Sequence, residues 1–324
     1  MSAPYVSIGM PVFNGERFVS RAIGTLLEQE FENFELIVSD NHSTDGTEEI
    51  VRQAMSRDRR IRYERHERNR GASFNFNRLL QLCDPGARYV KWAACDDEHG
   101  PKYLTRTVEL LDDDPTAALS HCATADIDEE GYILRLRHQP LELLASDHPA
   151  DRVRQLATLR HECFGAFGLM PRPVACATRG LGPFADADNV LLVEIALRGR
   201  MIYTDEVLFF RRQHSDRSMA AFAHARDRIA WFNPDRGGAI TLPKWRVGRE
   251  LLRAIAEAPL TSADRVACYR AMSVFAENNW QTLIKNLARS SVDALAGLSS
   301  QRGVTQEDGP VSAAPTAVEK ASSS

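Results

Sequence analysis

Between Tyr5 and about Cys122, short apolar runs take turns with stretches whose apolar residues recur at helical spacing. That alternation predicts a βαβ series around a mainly parallel sheet. Residues 6–13 read as a first strand, and Phe18, Val19, Ala22, Ile23, Leu26 and Leu27 keep the period of a first helix. Residues 34–39 form a second strand. Asp45, with Glu48 three residues on, gives a capping-box-like start to a helix whose inner face is Ile50, Val51, Ala54 and Met55. A third strand at 61–65, a third helix at 72–82 and a fourth strand at 89–94 follow, the last running into Asp96-Asp97. Pro101 sits where a further helix can begin, ending near Asp112 to Asp114.

Beyond this the pattern is more mixed. Residues 117–122 read as a fifth strand leading to a polar hairpin at 126–131, with a helix near 151–160 and a glycine- and aromatic-rich stretch at 164–170. Residues 188–197 are helical in pattern, 207–212 form a late strand, and 245–298 are almost wholly helical in period. From Gly303 the chain has no aromatic residue and is rich in Ser, Ala, Pro and Thr, which predicts a disordered tail.

Composition narrows the class. In 324 residues, 40 basic against 44 acidic side chains give a net charge of −4, and 44% hydrophobic with 26% charged residues is ordinary for a globular protein. No apolar run approaches the roughly 20 residues of a membrane helix, and the N-terminus has neither a basic flank nor an apolar core, so a cytoplasmic protein is expected. Six scattered cysteines form no C-x-x-C pair and read as reduced. Lysine occurs only at 91, 102, 244, 285 and 320, the other basic residues being arginine, yet the near-neutral balance speaks against a nucleic-acid partner.

Ligands of open α/β sheets bind at the carboxyl ends of the strands. Here those ends carry Pro11-Val-Phe-Asn14, Asp40-Asn-His-Ser43 and Cys95-Asp96-Asp97. Together they offer an aromatic face for a base, a carboxylate to accept an N–H, and paired carboxylates for a ribose or a divalent ion holding a diphosphate.

In this order the residues resemble the family 2 glycosyltransferases of GT-A fold, over residues 6 to about 214. The likeness rests on Pro-Val-Phe-Asn-Gly at 11–15, Phe-Glu-Leu-Ile-Val-Ser-Asp-Asn at 34–41, Ser-Thr-Asp-Gly-Thr at 43–47, Asn-Arg-Gly-Ala-Ser-Phe-Asn-Phe-Asn at 69–77, Asp96-Asp97 with Pro101 and Leu104, the segment around Asp188, and Arg-Arg-Gln-His at 211–214. It implies a Rossmann-like α/β domain over 1–215, a lid loop and C-terminal helical extension over 216–298, and a tail over 299–324. It also implies a hexosyl-type transfer from a UDP-, dTDP- or GDP-sugar to an acceptor hydroxyl with inversion, in the synthesis of a bacterial polysaccharide, glycolipid or surface glycan. Carried across, Pro11 and Phe13 line the base pocket with Asn14 nearby, Asp40 accepts the base N–H, Arg70 lies near the donor phosphate and Asp96 faces the ribose. Asp97, with Asp96 and His214, would hold Mg²⁺ or Mn²⁺. Asp188 takes the place of the general base, with Asp186 as a neighbouring alternative. Two positions depart from the pattern: Ala94 replaces the first acid of the usual Asp-x-Asp motif, and Ala187 the Glu of Glu-Asp.

From a different class stands a donor-binding but non-catalytic scaffold of a glycan-synthesis complex. A nicotinamide-dependent enzyme lacks its G-x-G-x-x-G cradle after the first strand. The loop at 215–238 is long enough for a lid, and 164–170 would make an acceptor wall. The helices after Trp245 could pack on the catalytic domain, pair two copies as a homodimer, or lie at the inner face of the plasma membrane, where a lipid-linked acceptor resides; their mixed charges favour packing.

Overall fold

The computed structural model describes residues 3–137, 142–158, 164–215, 231–232 and 242–286. Its first half is a βα series: β1 (Val6–Val12), α1 (Val19–Leu27), β2 (Phe34–Asp40), α2 (Thr47–Arg57), β3 (Ile61–Arg65), α3 (Ala72–Leu82) and β4 (Tyr89–Trp92). β1, β2 and β4 are buried along their whole length, as strands covered on both faces must be. They pair in parallel in the order β3-β2-β1-β4, so the chain reverses its winding between β1 and β4, and a crevice opens at that switch. β4 leaves the ladder at Gly9↔Trp92. Pro11, two residues farther along β1, is therefore tolerated in a central strand, where it would otherwise remove a ladder donor.

The second half departs from a single mainly parallel sheet. β5 (Glu98–His99), α4 (Tyr103–Asp113), β6 (Ala117–Ile127), β7 (Ile133–Arg137), α5 (Pro149–Thr158), β8 (Met170–Pro171), α6 (Arg172–Cys176), α7 (Ala187–Ala196) and β9 (Arg200–Arg212) follow. β8 closes the first sheet antiparallel to β4, and a second, mixed sheet runs β5-β9-β6-β7, with β6 and β9 parallel. β6 and β9 are longer than the apolar pattern suggests. Ser120, His121, Thr124 and Asp126 interrupt β6 with buried polar side chains, and β9 carries Asp205 and Glu206 through a register shift opposite Cys122 to Thr124.

Apolar layers cover both sheet faces. One joins the strands to α1 and α4 through Val19, Ile23, Leu26, Leu104, Val108 and Leu111. The other joins Leu79 of α3 to α5, α7 and the C-terminal helices α8 (Pro243–Glu257) and α9 (Ser262–Ala271). The C-terminal region therefore packs on the rest of the fold through Val247, Leu251, Ala254 and Ile255. α7 is buried on nearly every side, which explains its lack of an amphipathic stripe. Residues 216–230 of the expected lid and the whole 299–324 tail lie outside the described residues.

Two local expectations are corrected. The helix after Asp45 has no capping box: Gly46 is the N-cap, Asp45 accepts from the Thr47 backbone N–H at 3.1 Å, and Glu48 turns to Arg52 and Arg65. Thr47 and Val51 are buried and Ile50 and Ala54 pack half-buried on the core as expected, while Met55 is exposed.

Candidate active site

The loops after β1, β2 and β4 meet at the switch. Asn14 takes a left-handed conformation (φ 52°) that turns the chain toward the β2 loop. There its backbone N–H donates to Ser43 Oγ at 2.9 Å, and its Oδ1 accepts the Thr44 N–H at 2.8 Å. Gly15 N–H donates to Thr47 Oγ1 at 2.8 Å, and the Gly46 N–H donates to Glu16 Oε2 at 2.7 Å. Asn14 thus locks two loops together. On the ledge it makes, Phe13 is 45% exposed, an aromatic surface with little else to cover it, whereas Pro11 is buried behind it.

Asp40 sits deeper than the expected base acceptor. Its residue is 0% exposed; Oδ1 accepts the Ser43 N–H at 2.7 Å and Oδ2 accepts the Tyr63 hydroxyl at 2.6 Å, with Arg65 Nε 3.6 Å away. Burial, followed by the bond to Asp40, pushes the Tyr63 hydroxyl up, so it remains a donor at neutral pH. In this arrangement the carboxylate offers no open face, and its work is to shape the 41–46 loop. The next residue, Asn41, accepts the Arg70 backbone N–H at 2.9 Å and donates to Asn69 Oδ1 at 2.9 Å. Arg70 itself is exposed, its guanidinium stacked 3.6 Å from the centre of the Phe74 ring.

The paired acids after β4 are held from the far end of the chain. Asp97 Oδ1 accepts the Arg212 backbone N–H at 2.9 Å, and His214 Nε2 lies 2.9 Å from Asp96 Oδ2. Arg212 is wholly buried; it donates to the carbonyls of Asp96, Asp128 and Glu129 at 3.0, 2.8 and 2.6 Å, and pairs with Glu98. The last turn of β9 thus fixes the acid pair to the β6–β7 turn. Gly15 packs against Cys95, where an added Cβ would lie 3.4 Å from Sγ, so the first loop abuts the acid loop. Burial, then the neighbouring Asp96 and Asp97, push the Cys95 thiol well up, which leaves it neutral and unreactive.

The His214 ring lies tilted against Phe18 with centroids 4.7 Å apart, and among the described residues its buried Nδ1 has no hydrogen-bond partner. A buried ring nitrogen left unpaired costs about 1–3 kcal/mol. An orphaned ring nitrogen beside two carboxylates fits a divalent cation or the diphosphate it carries, since Mg²⁺ and Mn²⁺ need few protein ligands when phosphate and water oxygens complete the shell. Among the described residues, no three His, Cys, Asp or Glu side chains are grouped closely enough to form a metal cage by themselves.

Asp188 comes from another element. It lies in the first turn of α7, half-buried, and its Oδ1 accepts the Asn189 N–H at 2.9 Å. Asp186 adopts φ 64° as the N-cap, and its carboxylate is taken by Lys244 of α8 at 2.7 Å. The residues reasoning from sequence passed over are Arg212, Glu98 and Asn41. Of these only Arg212 had a signal, as a basic pair member beside His214 at a strand end.

Residues 7–176 match the family model described as glycosyl transferase family 2. Among similar proteins, one named as teichuronic acid biosynthesis glycosyltransferase TuaG of Bacillus subtilis (strain 168) is 31% identical over 108 residues, covering 33% of this chain and 42% of that one. A glycosyltransferase named EpsE from the same strain is 32% identical over 112 residues, covering 34% of this chain and 40% of that one. The chain spans less than half the length of these curated relatives. Among solved structures, S. aureus TarS 1-349 in complex with UDP-GlcNAc superposes with a TM-score of 0.64 at 15% identity, over 88% of this chain and 80% of that one. The mannosyltransferase PcManGT of Pyrobaculum calidifontis, in complex with GDP-Man and Mn²⁺, gives 0.50 at 17%, over 91% and 88%. At these identities the likeness establishes the fold, the GT-A arrangement of two sheets flanked by helices.

Proposed function

We propose a reaction for this chain, which belongs to glycosyl transferase family 2: it moves a hexosyl group from a nucleotide-diphosphate sugar to the hydroxyl of a growing glycan or glycolipid, with inversion. The observation that carries the reading is the clasp of Asp96 and Asp97 by Arg212 and His214 at the β1/β4 switch, because it presents two carboxylates and a ring nitrogen where a diphosphate would lie. Phe13 offers its face to the base and Asp96 faces the ribose. Asn14 and Asp40 hold the loops that carry that pocket, and Arg70 supplies charge at its rim. Mg²⁺ or Mn²⁺, held by Asp97 with Asp96 and His214, would neutralise the leaving diphosphate. Asp188 takes the proton of the acceptor hydroxyl as that oxygen attacks the anomeric carbon. The relatives' names support a role in surface polysaccharide synthesis. Among the described residues no helix is long and apolar enough to cross a membrane, which is compatible with work at the cytoplasmic face.

Nucleotide release measured with UDP-, dTDP- and GDP-sugars, with and without Mn²⁺, tests the reading. Turnover of at least one donor is expected, abolished by chelation. Binding without any turnover would instead favour the scaffold reading, to which Ala94 and Ala187 at two acidic motif positions point. In Asp188→Asn, transfer is expected to fall by roughly 10²- to 10⁴-fold with donor affinity unchanged; near wild-type transfer would remove Asp188 from the role.

A further inference from the structure

Away from the acid pair, a cleft of about 340 Å³ opens between β6, β9 and the two short 3₁₀ turns at Glu142–Ala145 and Phe164–Phe167. Its volume is at the lower end of the range of small-molecule sites, roughly 300–1,000 Å³. The lining is mixed: His121 and Thr124 of β6, Arg137 of β7, Glu142, and Tyr203 and Asp205 of β9 supply polar groups, and Phe164 and Met201 an apolar wall. The register shift that opposes Cys122 to Thr124 with Thr204 to Phe209 falls at this place, and such bulges re-aim side chains beside sites.

One atom there calls for a ligand. His121 is 1% exposed; Nδ1 pairs with the Tyr103 hydroxyl at 3.1 Å, while Nε2 is buried with no hydrogen-bond partner among the described residues. Burial, and then the charge of Lys91, hold the ring well below its ordinary pKa, at about 3, so it is a neutral imidazole that can donate or accept. The neighbouring Cys122 is no nucleophile for it, since burial pushes its thiol up to about 12. The formal charges around the cleft are one guanidinium and two carboxylates, a poor match for a phosphate. Planar polar groups, hydroxyls, carboxylates that accept O–H groups and an aromatic wall, without the cationic excess an anion needs, are what a pyranose ring requires.

The cleft also lies on the track of the active site. Along β6, Thr124 is three residues, or about 10 Å, from Ile127. The Ile127 carbonyl accepts the N–H of Gln213, the residue before His214, at 2.8 Å. Between them, Asp126 holds Arg211, whose guanidinium lies 4.6 Å over the Phe164 ring. We propose that this cleft is a saccharide subsite that holds a neutral sugar unit of the acceptor two or three residues back from the hydroxyl that reacts, so that the substrate class is an oligosaccharide or polymer and not a single sugar. The proposal rests on the transferase reading for its meaning, and its test is separable from it.

The full chain is titrated with neutral trisaccharides and the matching monosaccharides of glucose, N-acetylglucosamine, mannose and galactose, read by saturation-transfer NMR, alongside Glu142→Ala with Asp205→Ala. Both positions are exposed at the cleft rim, so the double variant is expected to fold. At least one trisaccharide should bind, its monosaccharide at least tenfold more weakly, and the variant should lose at least tenfold while its thermal shift with a UDP-sugar stays unchanged. No trisaccharide binding, equal binding by the variant, or equal binding of the monosaccharide overturns the subsite. A chain that binds trisaccharide here yet releases no nucleotide from any donor overturns the transferase reading and leaves the subsite standing.

Discussion

Asp126 shows how much one side chain can hold. It is buried, and its two oxygens receive Arg135 and Arg137 on one side at 2.7 and 2.6 Å and Arg211 on the other at 2.8 Å. Burial alone would raise its pKa, but the three guanidiniums outweigh it and the carboxyl is held below the usual value. Because the folded pKa is the lower one, this contribution is full above the ordinary carboxylate range and is lost as pH falls through the folded value. Asp126→Asn is expected to cost about 3 kcal/mol at neutral pH by urea unfolding, the two proteins converging at strongly acid pH. Lys91 works with the opposite sign. Buried without a carboxylate in contact, it bonds His99 Nε2 at 2.8 Å, and desolvation lowers it from 10.5 to about 7. The unfolded chain then binds the extra proton between those values, so stability should rise with pH across that window. Melting curves of Lys91→Met against the parent are expected to show a gap that favours the variant near pH 7 and closes toward pH 10. Single residues were where the sequence was least legible: Asp40 carries the motif but is sealed by Ser43 and Tyr63, partners supplied by folding and not by spacing.

Elements were legible wherever one physical rule decided them. β3 and α3 match their predicted bounds, and β1 and β2 differ by one residue; β2 reads from its apolar run and β3, Ile-Arg-Tyr-Glu-Arg, from its alternation. β6 and β9 outrun the apolar pattern, since their buried polar residues take partners that spacing does not reveal: Ser120 and His121 in α4, through the Thr107 carbonyl and the Tyr103 hydroxyl, and Asp126 across the sheet in Arg211. The C-terminal helices were legible as helices but not in what they grip. Arg179 donates to Glu194 of α7 at 2.5 Å and to Glu250 of α8 at 2.7 Å, both acids buried, just before Gly180 turns the chain at φ 68°. Together with Lys244 on Asp186, this fastens α8 to the helix that carries Asp188. Arg179→Met strips buried Glu194 of its guanidinium and leaves Glu250 only the exposed Arg249, and is expected to lower stability by about 3 kcal/mol in urea, with Lys244→Met costing under 1 kcal/mol because that pair is exposed.

For the molecule as a whole, the donor edge joins strands from both sheets, so a ligand that binds it should stabilise the entire domain and not one loop. At a hundred times its dissociation constant a donor is expected to add about 2.7 kcal/mol, read as a raised melting midpoint. The order in which the chain is made gives Arg212 a further meaning. The clasp on the acid pair arrives 115 and 118 residues after the acids themselves, through Arg212 on Asp97 and His214 on Asp96. While the ribosome is still adding β9, Glu98 has only Arg21 to pair with, and Asp97 lacks the Arg212 backbone N–H that closes on it. If the acid pair holds a nucleotide sugar as proposed, a product truncated before residue 200 should display the βα series without capturing a donor.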